Sequence, residues 1–474
     1  MSFELFEYKI EDLGKVITGK TPPAKISDAF STQGIPFVTP KDMDGRRLIN
    51  KTERYLSSQG VEAVRNCLLP QNSIAVSCIG SDMGKTVLLP GKSITNQQIN
   101  AIVVDSDRFD YKYVYYYLST LQDAFKAISG GSATPILNKG HFSQFKVSLP
   151  VKSVQKKIAL ILDSLDTKIE INTEINQTLE QMAQALFKSW FVDFEPVKAK
   201  IAVLEAGGSQ EDATLAAMMT ISGKNVDALA VFEREHPEQY AELKATAELF
   251  PSAMQDSELG EIPEGWSCKP ISQIVMVKSG YAFKSKDFTD SGFPVIKIKN
   301  ITGDGTVDVD NCQYVSSETV QGLNRFVIKN GDVLLAMTGA TVGKVGVFVN
   351  DGFPAYLNQR VAKFECRNEL TCNWFVYNIV SRSDFTSQIL STAQGSAQPN
   401  ISAKEIENIS RVLPLDSLII AYESCVSKIY QFVMCNISKN GLLTQLRDTL
   451  LPKLLSGEIT QPEVEQSVSE VENV

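Results

Sequence analysis

Histidine is scarce in this chain: two residues, His141 and His236, in 474 positions. So small a supply removes a Ser-His-Asp triad as a strong option and leaves almost no material for a histidine-ligated metal site. The eight cysteines, at 67, 78, 268, 312, 366, 372, 425 and 435, are scattered without any C-x-x-C spacing. That pattern argues against a zinc ribbon and against a disulfide framework, and they read as reduced core residues. No apolar run reaches the roughly 18 residues of a spanning helix. The start, Met1-Ser2-Phe3-Glu4-Leu5-Phe6-Glu7, lacks the basic region of a signal peptide, so a cytoplasmic location is expected.

Nucleotide and methyl-donor motifs are missing too. Cys78-Ile79-Gly80-Ser81-Asp82-Met83-Gly84-Lys85-Thr86 approaches a phosphate-binding loop but has Ile79 where the first glycine is required. A later copy ends Gly343-Lys344-Val345, with no hydroxyl for magnesium. A hairpin turn with a lysine at its tip, able to touch a phosphate, is the simpler expectation. There is no G-x-G-x-x-G, and no Asn/Asp-Pro-Pro-aromatic run to hold a flipped adenine; Thr21-Pro22-Pro23-Ala24 has the wrong flanks. The chain is expected to catalyse nothing by itself and to bind neither metal nor cofactor.

What is present is enough chain for two to four domains at roughly 100 to 200 residues each, with 43% apolar and 21% charged residues, as in globular proteins. The net charge of -9 is unevenly spread: +3 over 1–150, -2 over 151–195, -7 over 196–262, +1 over 263–414 and -4 over 415–474. The acid is concentrated in a middle insert and the tail, and the two large blocks are free to meet phosphate locally.

Those two blocks are one sequence written twice. Gly34-Ile35-Pro36-Phe37-Val38 returns as Gly292-Phe293-Pro294-Val295-Ile296, and Ser73-Ile74-Ala75-Val76 as Asp332-Val333-Leu334-Leu335. Asn96-Gln97 returns as Asn358-Gln359, Gly131 to Pro135 as Gly395 to Pro399, and Leu149-Pro150 as Leu413-Pro414. The offset drifts from 258 to 264 in one direction, as small loop insertions produce. Short apolar runs between Gly, Pro and Asn predict strands and turns, and 111–128 and 371–390 read as helical, giving a mixed α+β domain in each copy.

After each block the period changes to 3.5. Leu162, Leu165, Ile169, Asn172, Asn176, Leu179, Ala183 and Leu186 are matched, 264 positions on, by Val426, Ile429, Val433, Asn436, Asn440, Leu443, Arg447 and Leu450. This predicts two copies of a coiled-coil helix, the first over 158–187. Paired antiparallel about a pseudo-two-fold axis, Asn172 faces Asn440 and Asn176 faces Asn436, so that each amide satisfies another and fixes the register. Arg447 then faces Leu165 and is expected to turn its guanidinium to solvent.

Three stretches carry a family resemblance: Leu186-Phe187-Lys188-Ser189-Trp190-Phe191-Val192-Asp193-Phe194-Glu195-Pro196, Asp256-Ser257-Glu258-Leu259-Gly260-Glu261-Ile262-Pro263-Glu264-Gly265-Trp266, and Leu446-Arg447-Asp448-Thr449-Leu450-Leu451-Pro452-Lys453-Leu454-Leu455-Ser456-Gly457. With the repeat, they make nearly the whole chain resemble the specificity (S) subunit of a type I restriction-modification enzyme. The resemblance implies two target-recognition domains, 1–150 and 263–414, and two coiled-coil helices, 151–195 and 415–460. An acidic helical connector over 196–262 is read as a solvated link, and 461–474 as an acidic tail. It also implies a split double-stranded DNA target, two N6-adenine methyltransferase subunits and restriction subunits as partners, and S-adenosylmethionine, ATP and Mg on those partners.

By the same resemblance, base reading falls on loops. The candidates in the first copy are Lys41, Arg46, Arg47, Lys85, Asn96, Gln97, Gln98, Ser132 and Asn138. Those in the second are Lys297, Lys299, Asn300, Lys344, Asn358, Gln359, Arg360, Ser396, Gln398 and Asn400. Asn and Gln bond adenine bidentately, Arg bonds guanine, and Lys chiefly neutralises phosphate. Two other readings stand beside this one: a stand-alone two-site DNA-binding regulator that homodimerises through its coiled coil, and a protein scaffold with no nucleic-acid role.

Overall fold

In the computed structural model, which describes residues 3–128, 136–258, 260–350, 352, 354–367, 370–393 and 399–459, the repeated sequence becomes one sheet topology built twice. The chain divides into two compact units, one of residues up to 170 with those from 441, the other of residues 171–440.

The main sheet of the first unit orders its strands Gly14–Thr18, Ile99–Val104, Ser73–Ser77 and Thr86–Leu89, all antiparallel. The second unit repeats this as Val275–Ser279, Val361–Cys366, Val333–Ala336 and Val345–Val347, then adds Gly305–Thr306 in parallel at the edge. In the first unit that addition is a single bridge, Leu48 to Leu88. The apolar runs Ser73–Ser77 and Val333–Ala336 are buried along their whole length because they lie inside their sheets.

A second, smaller sheet repeats as well. It runs Phe30–Ser31, Tyr55–Leu56, Ile35–Val38, Ile94–Thr95 in the first unit. In the second it runs Phe288–Thr289, Gln313–Val315, Phe293–Ile296, Ala355–Leu357, Val327–Ile328. In both, one step is parallel: Val38 lies beside Thr95, and Ile296 beside Leu357. The helical stretches break in two, into Tyr111–Ser119 and Gln122–Ile128 in one unit and Asn373–Val380 and Ser383–Thr392 in the other.

The two long helices are Lys152–Phe191 and Asp416–Ser456, longer than the ladder alone indicates. The central one ends where Phe194 takes a left-handed conformation, after which Pro196 opens the first connector helix. Gly457, at φ 75°, caps the C-terminal helix, with Glu458 N–H bonding back to the Lys453 carbonyl at 3.0 Å. Within the second unit the helices run antiparallel: the Tyr422 hydroxyl donates to the Ala183 carbonyl at 3.1 Å, while Asn436 farther along donates to Asn176 Oδ1 at 2.8 Å. Asn172 donates to Asn440 Oδ1 at 2.9 Å, and Asn176 gives its own Nδ2 to the Val433 carbonyl at 3.2 Å.

Each unit's core joins its recognition domain to both helices. In the first, Leu162, Leu165, Leu443, Leu450 and Leu454 pack with Tyr113, Phe125 and Phe142. In the second, Trp190, Phe191, Tyr422 and Tyr430 pack with Trp374 and Phe375, the Trp374 and Tyr430 rings stacked at 4.2 Å. One window of Asp416–Ser456 reaches a mean hydropathy of 1.2, enough to cross a membrane by length and composition. Its apolar ladder residues Val426, Val433, Leu443 and Leu450 are buried.

Three expectations change. Arg447 does not turn to solvent: its Nη1 meets Asp166 Oδ1 at 2.8 Å, because the buried carboxylate next to Leu165 on the facing helix offers a stronger, charge-assisted site than water does. Of the cysteines, Cys78 and Cys372 are buried but Cys425 and Cys435 are exposed, lying off the helical ladder. The connector is more than a solvated link. Its helices Gln210–Ser222, Val226–Glu235 and Pro237–Glu248 bury Ala217, Met218, Leu229 and Ala247 together, and Phe250 packs on Trp190 at 5.2 Å.

Candidate nucleic-acid interface

A parallel pair of strands ends on one side, so the loops leaving it are neighbours. Thr39-Pro40-Lys41 leaves Ile35–Val38 beside Asn96-Gln97-Gln98, which leaves Ile94–Thr95, and Asn96 N–H bonds the Val38 carbonyl at 3.0 Å. In the second copy Lys297-Ile298-Lys299 lies beside Asn358-Gln359-Arg360, with Asn358 N–H on Ile296 at 3.0 Å. Backbone bonds then bring a third segment in. Cys78 N–H bonds the Gln98 carbonyl at 2.8 Å and Leu137 N–H bonds Cys78 at 3.0 Å, as Met337 bonds Arg360 and Ile401 bonds Met337, each at 3.0 Å. Asn138 and Asn400 thus stand near the same edge.

Within each cluster, the structure separates side chains that shape the turn from those that face water. Asn96 Oδ1 accepts Gln98 N–H at 3.0 Å, and its amide reaches Gln98 Oε1 at 3.2 Å. Asn358 is buried. Lys41, Gln97, Lys299, Gln359, Arg360 and Asn400 are exposed. Gln97 accepts the Thr21 hydroxyl at 2.8 Å, and Lys297 lies over the Phe288 ring at 3.7 Å and bonds Gln313. Burial and then the neighbouring Lys299 charge hold the Lys297 ammonium below the usual lysine range.

Several candidates are occupied elsewhere. Asn300 is buried and gives its amide to the carbonyls of Asp308 and Asn311 at 3.0 and 3.3 Å, so it is a loop staple. Arg47 spends its guanidinium on Asp163, Glu170 and Tyr116 inside the first unit. Lys85 and Lys344 are not at a hairpin tip. Each sits one residue after its turn and reaches the carbonyl of the loop opposite, Met43 at 3.4 Å and Thr302 at 3.1 Å, and Lys85 also pairs with Asp82 at 2.8 Å. Arg46 is exposed but paired with Asp44 at 2.9 Å. Asn138 caps Lys139–Gln144, accepting His141 N–H at 2.9 Å. Ser132, Ser396 and Gln398 lie outside the described residues.

A neighbouring strand end was not singled out from sequence. Lys20 N–H bonds the Thr95 carbonyl at 2.9 Å, and Tyr281 N–H bonds Leu357 at 2.8 Å, bringing exposed Lys20, Thr21 and Tyr281 to the Asn-Gln turns. Glycine permits this approach: a Cβ at Gly19 would stand 2.2 Å from the Asn96 carbonyl, and one at Gly280 2.1 Å from Leu357. The recurrence of glycine at 19 and 280, at an offset of 261 that lies within the range of the repeat, was the available signal. Among the described residues, no group of three or more His, Cys, Asp or Glu is placed to hold a metal ion.

The sequence signature of the type I restriction modification DNA specificity domain matches residues 4–181 and 263–417. The chain belongs to this family. It is 34% identical over 345 residues to the type I restriction enzyme HindI specificity subunit of Haemophilus influenzae, covering 70% of this chain and 73% of that one. It is also 24% identical to the MjaIX specificity subunit of Methanocaldococcus jannaschii, over 96% of this chain and 94% of the relative. A crystal structure of the type I restriction-modification S subunit from M. genitalium shares the fold, with a TM-score of 0.51 at 15% identity and 96% coverage of both chains. In this family of specificity subunits, the doubled strand-end clusters are the natural place to look for DNA contact.

Proposed function

We propose that the chain reads a split double-stranded DNA target, one half with each recognition domain, and directs partner subunits to methylate adenine N6 and to restrict unmodified DNA. One observation carries this reading. The same strand ends present partly different side chains in the two copies: Lys41 and Gln97 recur as Lys299 and Gln359, but Lys20 and Gln98 of the first give way to Tyr281 and Arg360 in the second. Identical scaffolding with non-identical hydrogen-bonding groups suits two unlike base sequences. We assign the reading to the exposed members of this set together with Thr21 and Asn400, and phosphate contact chiefly to the lysines. Methyl transfer, with its S-adenosylmethionine, belongs to two methyltransferase subunits. ATP- and Mg-dependent cleavage belongs to restriction subunits, all in the cytoplasm. The homodimer reading is disfavoured, because Asn172, Asn176, Asn436 and Asn440 pair inside one chain.

Purified alone, the chain is expected to transfer no methyl group from labelled S-adenosylmethionine to DNA. With its methyltransferase subunit it is expected to modify adenines in a motif of two short half-sites and a fixed unspecified spacer, read by methylation-sensitive sequencing. Transfer by the chain alone, or a contiguous motif, would refute the assignment.

A further inference from the structure

Strand register makes Arg47 and Gly305 equivalent: Leu48 bridges Leu88 as Thr306 pairs with Val347, and Leu88 and Val347 are opposite the equivalent residues Ile74 and Val333. The two positions are treated oppositely. Arg47 Nε and Nη2 donate to the two oxygens of Glu170, both at 2.9 Å, and Nη1 donates to Asp163 at 2.6 Å and to the Tyr116 hydroxyl at 3.2 Å. Asp166, 3.9 Å away, accepts the Tyr116 hydroxyl at 2.6 Å and Arg447 at 2.8 Å. Lys112 completes the cluster on Asp163. Asp163, Asp166 and Glu170 lie on one face of the central helix, at i, i+3 and i+7. Arg47, Lys112 and Tyr116 come from the recognition domain, and Arg447 from the C-terminal helix. Three cations and three carboxylates therefore meet at one point.

We propose that Arg47 is a positioning residue: it clamps the first recognition domain to the central helix in one orientation and so fixes where the first half-site lies along the DNA. Apolar contacts tolerate sliding, whereas a planar guanidinium forked onto a carboxylate fixes both distance and plane. The guanidinium side chain is 10% exposed, so salt screens it weakly. Arg47 also closes the loop that begins at Lys41, so a shift at the clamp is passed to the strand-end cluster. Among the described residues, the second copy has no such fork. A Cβ at Gly305 (φ 92°) would come within 2.8 Å of the Tyr377 hydroxyl, and Asn378 to Tyr430, at 2.8 Å, stands where Tyr116 to Asp166 stands in the first.

The inference rests on the split-target reading, and the test keeps the two apart. The assembled complex is expressed in cells with the wild-type chain, Arg47→Ala, Glu170→Gln, or the exchange Arg47→Glu with Glu170→Arg, and the methylated motifs are sequenced. Both single variants should keep the bases of both half-sites while raising, by about tenfold, methylation at sites whose spacer is one base pair too long or too short. The exchange keeps one Arg–Glu pair but sets a carboxylate beside Asp163 and Asp166, so it should loosen the spacer at least as far as the single variants, and a wild-type ratio from it would refute the clamp. If Arg47→Ala rewrites the first half-site and Glu170→Gln does not, Arg47 reads bases and the clamp is refuted. An unchanged spacer ratio in both folded variants refutes it as well. Should Arg47→Ala fail to fold, Glu170→Gln, at a carboxylate 34% exposed, carries the test alone. No split motif with the wild-type chain would overturn the DNA-reading assignment rather than the clamp.

Discussion

Glu180 illustrates what burial does to a single group. It lines a cavity of about 340 Å³ with Asp304, Lys344 and Tyr377, and burial, then the Asp304 charge, pushes its carboxyl up to about 7. Burial also pushes Glu423 up to about 7, against the lowering effect of the Phe375 and Trp374 N–H groups. Both folded values lie above the ordinary carboxylate value, so between about pH 4.5 and 7 the folded state holds more protons than the unfolded one. Their stabilising contribution is complete below that window and is lost as pH rises through 7. All three tryptophans, Trp190, Trp266 and Trp374, belong to the second unit, so tryptophan fluorescence in urea reports it selectively. Its stability should fall from pH 5 to pH 7.5, and Glu180→Gln should flatten that slope and add about 1 kcal/mol at pH 8. The same measurement applies to Asn176→Leu, which leaves the Asn436 amide unpaired and should cost about 1–3 kcal/mol. Adding Asn436→Leu should recover most of it.

The long helices pose a question of length. A 40-residue helix spans about 60 Å at roughly 1.5 Å per residue, against the about 45 Å of the 158–187 ladder. Apolar and capping residues outside the heptads extend it, among them Phe191, packed on Phe375 at 4.9 Å. If the helices set the spacer, inserting one heptad into each at matched positions should lengthen it by about three base pairs, since roughly 10 Å of helix covers that many steps of the duplex. Methylated-motif sequencing reads the result, and a spacer indifferent to helix length would sink the ruler idea while leaving the family assignment intact.

Across the whole molecule, the duplicated topology predicts independent readers. Replacing residues 1–150 with the corresponding block of another specificity subunit should change one half-site and preserve the other; rewriting of both halves would show that the domains do not read separately. The swap has a structural condition, because Arg47, Lys112 and Tyr116 travel with the block while Asp163, Asp166 and Glu170 remain on the helix. A donor block lacking a cation at the position of Arg47 should give a functional but spacer-tolerant chimaera.

The repeat, the heptad ladder and the four asparagines were legible in sequence because periodicity and matched spacing are one-dimensional properties. So was the family. What only the tertiary structure decided was how each polar group spends its hydrogen-bonding capacity. Arg46 and Arg47 are adjacent and alike in sequence, yet one is exposed and pairs locally with Asp44 while the other, its side chain 10% exposed, is enclosed by acids more than 100 positions away. Asn300 and Gln359 are both polar loop residues, and the fold consumes the first on two carbonyls while leaving the second exposed. A side chain's partners are fixed by packing between segments distant in sequence, and burial makes an unpaired donor costly enough that those distant partners, not the local motif, settle its role.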